Sequence, residues 1–532
     1  MKINKNPAFS SSCFFVLIFL LALIPRLFLI SKSYFGFHPT RQFHSANLAQ
    51  AYLIHSQESF DPSFKKVAQT HLRLRGKKEP RIMEYLVSFT GRLTGLHSYW
   101  VPRFFSMLFW FSGGVFLFLL VQRLFSKEGA FFSTSLYLLF PFGINISRAF
   151  MPESLMIMFT LIALYFLFRH FHSSQTRPLL WAALFSGLAV LVKFVVIFPI
   201  FGAFAITGIQ KHGLKKFVLN FQNLRFFVIC GFLGIGYYVF ILIYGSSFPG
   251  TIRDVFLPKM LLTVDFWRGW VIQIGNVTGW LPFLLGIAVL LYQKRSEARA
   301  FLAGILFGYG IYAFLFIYAT AVIDYYHVAL YLFVIIAMGQ VGASAAEFVK
   351  QRTSGLKWIS IAFGFCLLIL FFFSVSTAHW TFLSDNFKRK LELPAAIFCG
   401  NQMSYIKPSE ISLKVQKSEE IGEVVGHSAK TIFLADAYGF PLMFHGILFG
   451  KYWPDVGELR ARQLQGETSM SAAERYRQDF APWQADYFIV EDMSLWAKQP
   501  DLQDFLQNNF PLVEDGHDFL VYDLRKSADG IR

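Results

Sequence analysis

The apolar stretch Phe104–Gln122, FFSMLFWFSGGVFLFLLVQ, contains no charged residue. An α-helix of this length crosses the hydrocarbon core of a bilayer, which is about 30 Å thick. The stretch is typical of the chain, because apolar residues make up 55% of its 532 residues and charged residues only 15%. A soluble protein could not cover so much apolar surface with so few charges. The composition therefore excludes a cytosolic enzyme, a transcription factor and a secreted disulfide scaffold.

Eleven apolar stretches are predicted to be membrane helices. They lie at residues 12–30, 104–122, 130–146, 154–168, 179–192, 194–209, 226–244, 278–292, 300–319, 327–346 and 358–376. The first is interpreted as a retained span, because it lacks the small-residue cleavage site of a signal peptide. The predicted fold is mainly α: a polytopic membrane protein with a small extracytoplasmic C-terminal α/β domain.

The charges divide the chain into two regions. Residues 381–532 contain 16 Lys and Arg against 22 Asp and Glu, whereas residues 1–380 are strongly basic. The sequence predicts a transmembrane domain over 1–380, with a large first loop at 31–101, and an α/β domain over 381–532. The short basic loops predict a cytosolic N-terminus and an extracytoplasmic C-terminal domain. Membrane lipids explain the basic residues, so no nucleic-acid partner is predicted.

The first loop is an exception to this charge pattern. Up to residue 100 it holds 10 Lys and Arg and only four acidic residues. The positive-inside rule disfavours cations on the outer side. Cations kept there indicate an anionic ligand.

The tail contains alternating β-like and helical segments. The predicted strands are Thr431–Ala437, Asp486–Val490 and Phe519–Asp523, and the predicted helices are Ser471–Trp483 and Gln499–Phe510. Glycines and Pro441 predict a loop after the first strand. The tail carries no nucleotide-binding glycine pattern and no catalytic constellation.

Five polar groups lie on the predicted outer side of the membrane. They are His38-Pro39-Thr40-Arg41-Gln42-Phe43-His44, Arg73–Arg81 with Glu79 inside it, Ser147–Glu153 with Arg148, the lone Lys193, and Asp324-Tyr325-Tyr326-His327. Histidine can act as a base or metal ligand, and arginine can bind phosphate. A lone cation at membrane depth either reaches the interface or meets an anion. Because all five groups are predicted to lie on the same side of the membrane, we expect them to line one cavity.

Each group also has a purely structural interpretation. Pro39 can set a turn at an interfacial helix start, and the 73–81 run can be a solvated surface. Glu153 suits the positive end of a helix dipole. Tyr325 and Tyr326 can belong to an aromatic belt.

Short motifs in a fixed order resemble those of bacterial membrane glycosyltransferases of the GT-C fold, the branch related to protein O-mannosyltransferases and the lipid A aminoarabinose transferase. They are Phe37-His38-Pro39-Thr40-Arg41-Gln42, Ile82-Met83-Glu84-Tyr85-Leu86-Val87 after Glu79, Trp100-Val101-Pro102-Arg103, Ser147-Arg148-Ala149-Phe150-Met151-Pro152-Glu153, Gly187-Leu188-Ala189-Val190-Leu191-Val192-Lys193 and Asp324-Tyr325-Tyr326-His327. The resemblance covers about residues 10–380 and, more loosely, the tail.

The resemblance implies an inverting hexosyl- or pentosyltransferase in a bacterial inner membrane. Such an enzyme moves a sugar from a polyprenyl-phosphate donor to an extracytoplasmic lipid, polysaccharide or protein. Family members carry an acidic base just after the first span, whereas this chain has no Asp or Glu there before Glu58. Glu79, His38 and His44 are therefore the catalytic candidates.

The predicted substrate-binding residues are Arg41, Gln42, Arg148, Glu153, Lys193, Asp324, Tyr325, Tyr326 and His327. Arg41, Arg148 and Lys193 are expected on the donor phosphate. A divalent metal with Glu153 or His44 as ligand stays open. Two alternatives remain: a transporter or flippase of polyprenyl-linked sugars, and a catalytically inactive relative with a structural role. Transporters show paired repeats, and none is evident in the sequence.

Overall fold

The computed structural model describes residues 7–75, 79–95, 98–244, 256–352, 369, 371–372, 385–402, 407–464, 468–516 and 518–526. They fold into two compact units. The helical unit comprises Met1–Ile30, Gly76–Ile82 and Pro102–Tyr405, and the mixed unit comprises Ser31–Arg75, Met83–Val101 and Ile406–Arg532. The predicted boundary near residue 380 lies outside the described residues.

Most of the chain is helical. The α-helices of the helical unit and its borders are Pro7–Leu27, Trp100–Leu124, Lys127–Leu139, Pro141–Ser147, Glu153–Ser173, Thr176–Val192, Ile197–His212, Leu214–Leu219, Phe221–Cys230, Gly236–Tyr244, Val264–Val277, Trp280–Tyr292, Ser296–Leu315, Ile317–Val322, Val328–Arg352 and Asp385–Phe398. Those of the mixed unit and its borders are Pro39–Ser56, Pro62–Leu74, Ile82–Thr94, Pro408–Val424, Phe440–His445, Val456–Leu464, Ala472–Arg475, Met493–Trp496 and Pro500–Asn509.

Six described helices are long and apolar enough to cross a membrane. They are Trp100–Leu124, Glu153–Ser173, Phe194–His212, Phe221–Ile243, Ser296–Leu315 and Asp324–Gln351. The number rises to eight if two bent pairs each form one span: Lys127–Leu139 with Pro141–Ser147, and Val264–Val277 with Trp280–Tyr292. The chain is thus a multi-pass membrane protein, and the predicted count of eleven is not confirmed.

The predicted apolar stretches nevertheless coincide with helices wherever the structure describes them. The stretches at 12–30 and 179–192 correspond to the shorter apolar helices Phe15–Leu27 and Thr176–Val192. The last stretch, 358–376, lies almost wholly outside the described residues.

Two spanning helices approach each other at a pair of glycines. A Cβ atom on Gly202 would overlap the carbonyl oxygen of Gly304, and one on Gly304 would overlap that of Gly202. Small residues allow helix backbones to come this close, where dispersion contacts replace the hydrophobic effect. The pair fixes how helices Ile197–His212 and Ser296–Leu315 pack.

We expect Gly202→Ala to destabilise the protein by about 1–3 kcal/mol, because the added methyl group forces the two backbones apart. Gly310→Ala is the matched control, since a Cβ there has no neighbour within 4 Å and alanine favours the helix by about 0.5–1 kcal/mol. Thermal unfolding in detergent measures both variants. Equal stabilities would contradict the packing argument.

The mixed unit contains a five-stranded sheet. Its strands are β1 (Thr431–Leu434), β2 (Gly450–Tyr452), β3 (Tyr487–Val490), β4 (Leu512–Gly516) and β5 (Phe519–Asp523), in the order β2-β1-β3-β5-β4. Strands β2 and β3 pair with β1 in parallel, and β5 pairs with β3 and β4 in antiparallel orientation. Alternate residues point to opposite faces, so Ile432 and Phe433 belong to separate cores.

Helices from the first loop contribute to one of these cores. Val67, from helix Pro62–Leu74, belongs to the cluster that contains Phe433 of β1. The Asn47 amide donates to the carbonyl oxygen of Phe440, 3.0 Å away. The first loop and the tail therefore fold as one unit, a relation that the sequence analysis did not predict.

The predicted C-terminal sheet is confirmed, and its details differ. All three predicted strands are present. Two further strands were missed: β2, placed in a predicted loop because it begins at Gly450, and β4, whose residues Leu512–Asp515 are exposed. Short edge strands of this kind lack a buried apolar pattern.

Candidate functional site

A buried ion pair joins two of the predicted site residues. Glu153 begins helix Glu153–Ser173, and Lys193 follows helix Thr176–Val192 in an extended conformation. The Lys193 Nζ lies 2.5 Å from Glu153 Oε1, and the two side chains are only 7% and 1% exposed. Two predicted groups that are distant in sequence are thus in direct contact. Of the two outcomes expected for Lys193, the structure shows an anionic partner, Glu153.

Tyrosine rings complete the surroundings of this cation. The Lys193 Nζ lies 4.8 Å from the ring centre of Tyr325 and 5.3 Å from that of Tyr326. An ammonium group within about 6 Å of an aromatic face is attracted to it. Three of the five predicted groups therefore come together in the helical unit through Glu153, Lys193 and these tyrosines.

Two buried oxygen atoms of this cluster have no hydrogen-bond partner among the described residues. They are Oε2 of Glu153 and the hydroxyl of Tyr312. The Tyr312 ring lies parallel to that of Tyr326, with 6.3 Å between their centres. Tyr312 was missed by the sequence analysis, because a tyrosine within an apolar helix carries no signal of its own.

His327 is bonded through both ring nitrogens. Its Nδ1 lies 2.7 Å from the Tyr309 hydroxyl, and its Nε2 lies 2.6 Å from the carbonyl oxygen of Thr320. Trp270 donates to the same hydroxyl at 2.7 Å. Tyr309 therefore donates to Nδ1, and Nε2–H donates to the carbonyl. This arrangement favours a positioning role for His327, which was predicted to bind substrate.

Asp324 lies in a separate polar contact at the start of the same span. Its Oδ2 accepts a hydrogen bond of 2.8 Å from the Gln402 amide. The carbonyl oxygen of Gln402 accepts another from Asn145, at 3.2 Å. These bonds tie the segment after helix Asp385–Phe398 to the spanning helices.

Arg148 contacts backbone carbonyl groups. Its guanidinium donates to the carbonyl oxygen of Phe28 and, at 3.5 Å, to that of Pro25. Arg26 donates to Ser147 Oγ at 2.7 Å, and Arg103 donates to the carbonyl oxygens of Leu29 and Ile30. Cations at a helix C-terminus satisfy its unpaired carbonyls. This gives Arg148 the structural role that the sequence left unexplained.

The remaining predicted residues lie near the start of helix Pro39–Ser56 in the mixed unit. His38 precedes the helix in a left-handed conformation, with φ of 46°. The buried Gln42 amide donates to the carbonyl oxygen of Phe37. The His44 ring packs edge-on against Phe440, with 5.4 Å between ring centres. Arg41 is half-buried in the same helix.

Two carboxylates of the first loop lie in different units. Glu79 is half-buried and belongs to the helical unit. Glu84 belongs to the mixed unit, where it is buried and accepts a 2.7 Å hydrogen bond from Ser45 Oγ. Glu84 is a candidate that the sequence analysis named only within a motif.

The residues suggested for a metal do not form a fitting donor set. No group of three or more His, Cys, Asp and Glu side chains suited to a metal occurs in the described part of the chain. Glu153 is already paired with the cation Lys193, and His44 packs against an aromatic ring. No step is assigned to a metal here.

Two buried histidines predict how the stability of the mixed unit depends on pH. Burial, with help from Arg75, lowers the pKa of His71 to about 3. Burial also lowers the pKa of His445 to about 4. Both rings are neutral in the folded unit, whereas an unfolded histidine titrates near 6.5. Stability is therefore full above about pH 6.5 and falls as the pH drops towards 4.

We expect the melting temperature of the mixed unit to fall between pH 7 and pH 4.5. His71→Phe should flatten this dependence, because phenylalanine cannot bind a proton. His55→Ala is the control, since His55 is exposed. An unchanged pH profile in the His71 variant would show that other groups cause the loss.

A family model matches part of the sequence, and known structures can be aligned with most of the chain. Residues 78–233 match the model of the family described as dolichyl-phosphate-mannose-protein mannosyltransferase. No sequence among the curated proteins matches. Among solved structures, apo ArnT from Cupriavidus metallidurans has a TM-score of 0.54 at 14% identity, covering 96% of this chain and 98% of that one.

Two further structures contain lipid phosphates. ArnT from the same organism bound to undecaprenyl phosphate has a TM-score of 0.52 at 14% identity, with coverage of 96% and 98%. The oligosaccharyltransferase AglB from Archaeoglobus fulgidus, in complex with an inhibitory peptide and a dolichol-phosphate, has a TM-score of 0.50 at 11% identity. The chain covers 95% of its own length in that match and 73% of AglB's. The resemblance noted in the sequence is confirmed: the chain has a fold similar to that of the GT-C glycosyltransferases ArnT and AglB.

Proposed function

We propose that the chain is a membrane glycosyltransferase that moves a sugar from a polyprenyl-phosphate donor to an extracytoplasmic acceptor. The acceptor is a lipid, a polysaccharide or a protein. The observation that carries this proposal is the buried cluster of Glu153, Lys193, Tyr325 and Tyr326. Burying charged groups among membrane-spanning helices costs free energy, and such groups typically mark a functional site. The GT-C-like fold and the lipid phosphates of the neighbours support the same conclusion.

The donor phosphate requires cations. Arg41, with Gln42 beside it, is our candidate for direct phosphate contact, because arginine binds phosphate through two parallel hydrogen bonds. Arg148 bonds to backbone carbonyl groups and therefore supports the site by fixing the end of the first helix. Lys193 is largely neutralised by Glu153, so it contributes less to phosphate attraction than the sequence suggested.

Transfer with inversion needs one base. The base removes the proton of the acceptor hydroxyl while that oxygen forms a bond to the anomeric carbon. The bond from this carbon to the phosphate oxygen breaks, and the polyprenyl phosphate leaves with its electron pair. Arginine stabilises the charge that develops on it. Glu79, His38 and His44 are the candidates for the base.

The orientation is also part of the proposal. The N-terminus lies in the cytosol, and the domain over 381–532 lies outside a bacterial inner membrane. This places the first loop and the tail on the side where a sugar carried by a lipid phosphate meets an acceptor. Accessibility of single cysteines introduced at Glu58 and Gln503 to a membrane-impermeant thiol reagent tests it.

The test of function is cleavage of the donor by purified protein in liposomes. Radiolabelled undecaprenyl phosphates bearing mannose, glucose, galactose or arabinose are supplied in turn, with and without EDTA. We expect release of the sugar or its transfer to an acceptor, together with free undecaprenyl phosphate. Movement of an intact donor across the bilayer without cleavage would instead show a flippase. Binding without cleavage or movement would show an inactive relative.

A further inference from the structure

Two buried oxygen atoms beside the ion pair of the helical unit have no hydrogen-bond partner among the described residues. Lys193 occupies Oε1 of Glu153, whereas Oε2 and the Tyr312 hydroxyl have no partner in the part of the chain that is described. Both residues are almost completely buried, Glu153 at 0% and Tyr312 at 1% exposure. An unpaired buried oxygen costs about 1–3 kcal/mol. Two of them in one cluster indicate that a ligand provides the missing bonds.

The two oxygens belong to one cluster. Tyr312 stacks on Tyr326, whose ring centre lies 5.3 Å from the Lys193 Nζ. Lys193 in turn pairs with Glu153, at 2.5 Å. Tyr325 and Tyr326 are half-buried, so the cluster is open on the side of these two rings.

The chemistry of the cluster selects its ligand. The pair of Glu153 and Lys193 is neutral as a whole, and a second anion would be repelled by the carboxylate at close range. A carboxylate oxygen accepts hydrogen bonds, and a tyrosine hydroxyl both donates and accepts. A neutral ring that carries several hydroxyl groups, a sugar, meets all these conditions.

We propose that Glu153 Oε2 and the Tyr312 hydroxyl form a subsite for the hydroxyl groups of the transferred sugar. This inference rests on the proposed glycosyltransferase function. It assigns Tyr312 as a specificity-determining residue and directs Glu153 to the sugar. A site built to bond hydroxyl groups rejects analogues that lack them, because its own polar groups then stay unpaired.

The test uses Tyr312→Phe, which removes only the hydroxyl and keeps the ring stacking. Tyr309→Phe is the matched control, one turn away in the same helix, since its hydroxyl is fully bonded to Trp270 and His327. Tyr312→Phe should keep or raise the melting temperature of the wild type, because it removes an unpaired hydroxyl, and should lower kcat/KM for a sugar donor about tenfold. Tyr309→Phe should lower the melting temperature and leave the ranking of sugar donors unchanged.

Binding separates this inference from the wider proposal. The wild type should be stabilised more by undecaprenyl-phosphate mannose, or whichever of the four donors shifts its melting temperature most, than by undecaprenyl phosphate alone. Tyr312→Phe should lose this difference and keep the response to the carrier alone. The subsite would be overturned, even if turnover occurs, if the donor exceeded the carrier by the same shift in melting temperature in Tyr312→Phe as in the wild type. A lost difference without turnover in the wild type would retain the subsite and count against the transferase.

Discussion

Lys193→Met is expected to destabilise the helical unit by about 3–5 kcal/mol, because it leaves the buried Glu153 carboxylate without its counter-ion. The lysine ammonium lies 2.5 Å from this carboxylate, and both side chains are largely buried. Thermal or denaturant unfolding in detergent measures the loss. It is the largest effect on stability that we predict for a single substitution.

A double substitution separates the charge effect from the loss of packing. Glu153→Gln with Lys193→Met removes both charges, so we expect it to recover most of the stability lost by Lys193→Met alone. Lys350→Met is the matched control, since Lys350 pairs with Glu128 on an exposed surface. Exposed pairs contribute about 0–1 kcal/mol. A similar loss in the control, or no recovery in the double variant, would contradict the argument.

Loss of the general base is expected to reduce turnover by about 10²–10⁴-fold. Glu79→Gln and His38→Ala are the two variants to compare first, with His44→Ala beside them. The true base should lose sugar transfer and keep binding of undecaprenyl phosphate, because the proton is removed only during the chemical step. Radiolabelled donor cleavage measures the rate, and thermal stabilisation by the carrier measures binding.

Matched controls come from the same loop. Glu58→Gln and His55→Ala change the same residue types at exposed positions, so both should retain full turnover. A loss in these controls would point to a general effect on the loop. Full turnover in all three candidate variants would mean that a different residue, with Glu84 as the first to examine, provides the base.

The sequence identified Lys193 and Glu153 as site candidates but did not predict that they pair with each other. A lysine between two apolar runs either pairs with an anion or extends to the membrane surface. Lys193 pairs with Glu153. Arg148 was likewise noticed as a cation near a helix turn. Its contacts with carbonyl oxygens at the end of the first helix join residues more than a hundred positions apart, which no local pattern contains.

Tyrosines show where the sequence stops being informative. Tyr309 and Tyr312 lie in the same apolar helix and look alike in the sequence. Only the neighbouring helices make the first hydroxyl fully bonded and leave the second without a partner among the residues that the structure describes. The sequence likewise could not show that both ring nitrogens of His327 are bonded, because its partners Tyr309 and Thr320 are brought to it by the tertiary fold. His327 was therefore predicted to bind substrate.

The shared core of the first loop and the tail has a consequence for biosynthesis. Asn47 and Phe440 are bonded across 393 positions of the chain, and Val67 packs into a core built mainly by the tail. The ribosome therefore releases the loop helices long before their partners exist. The intervening spanning helices are all synthesised before these partners appear. During that interval proteases and chaperones meet an incomplete fold, and a premature stop before β1 leaves Val67 without the core that the tail builds.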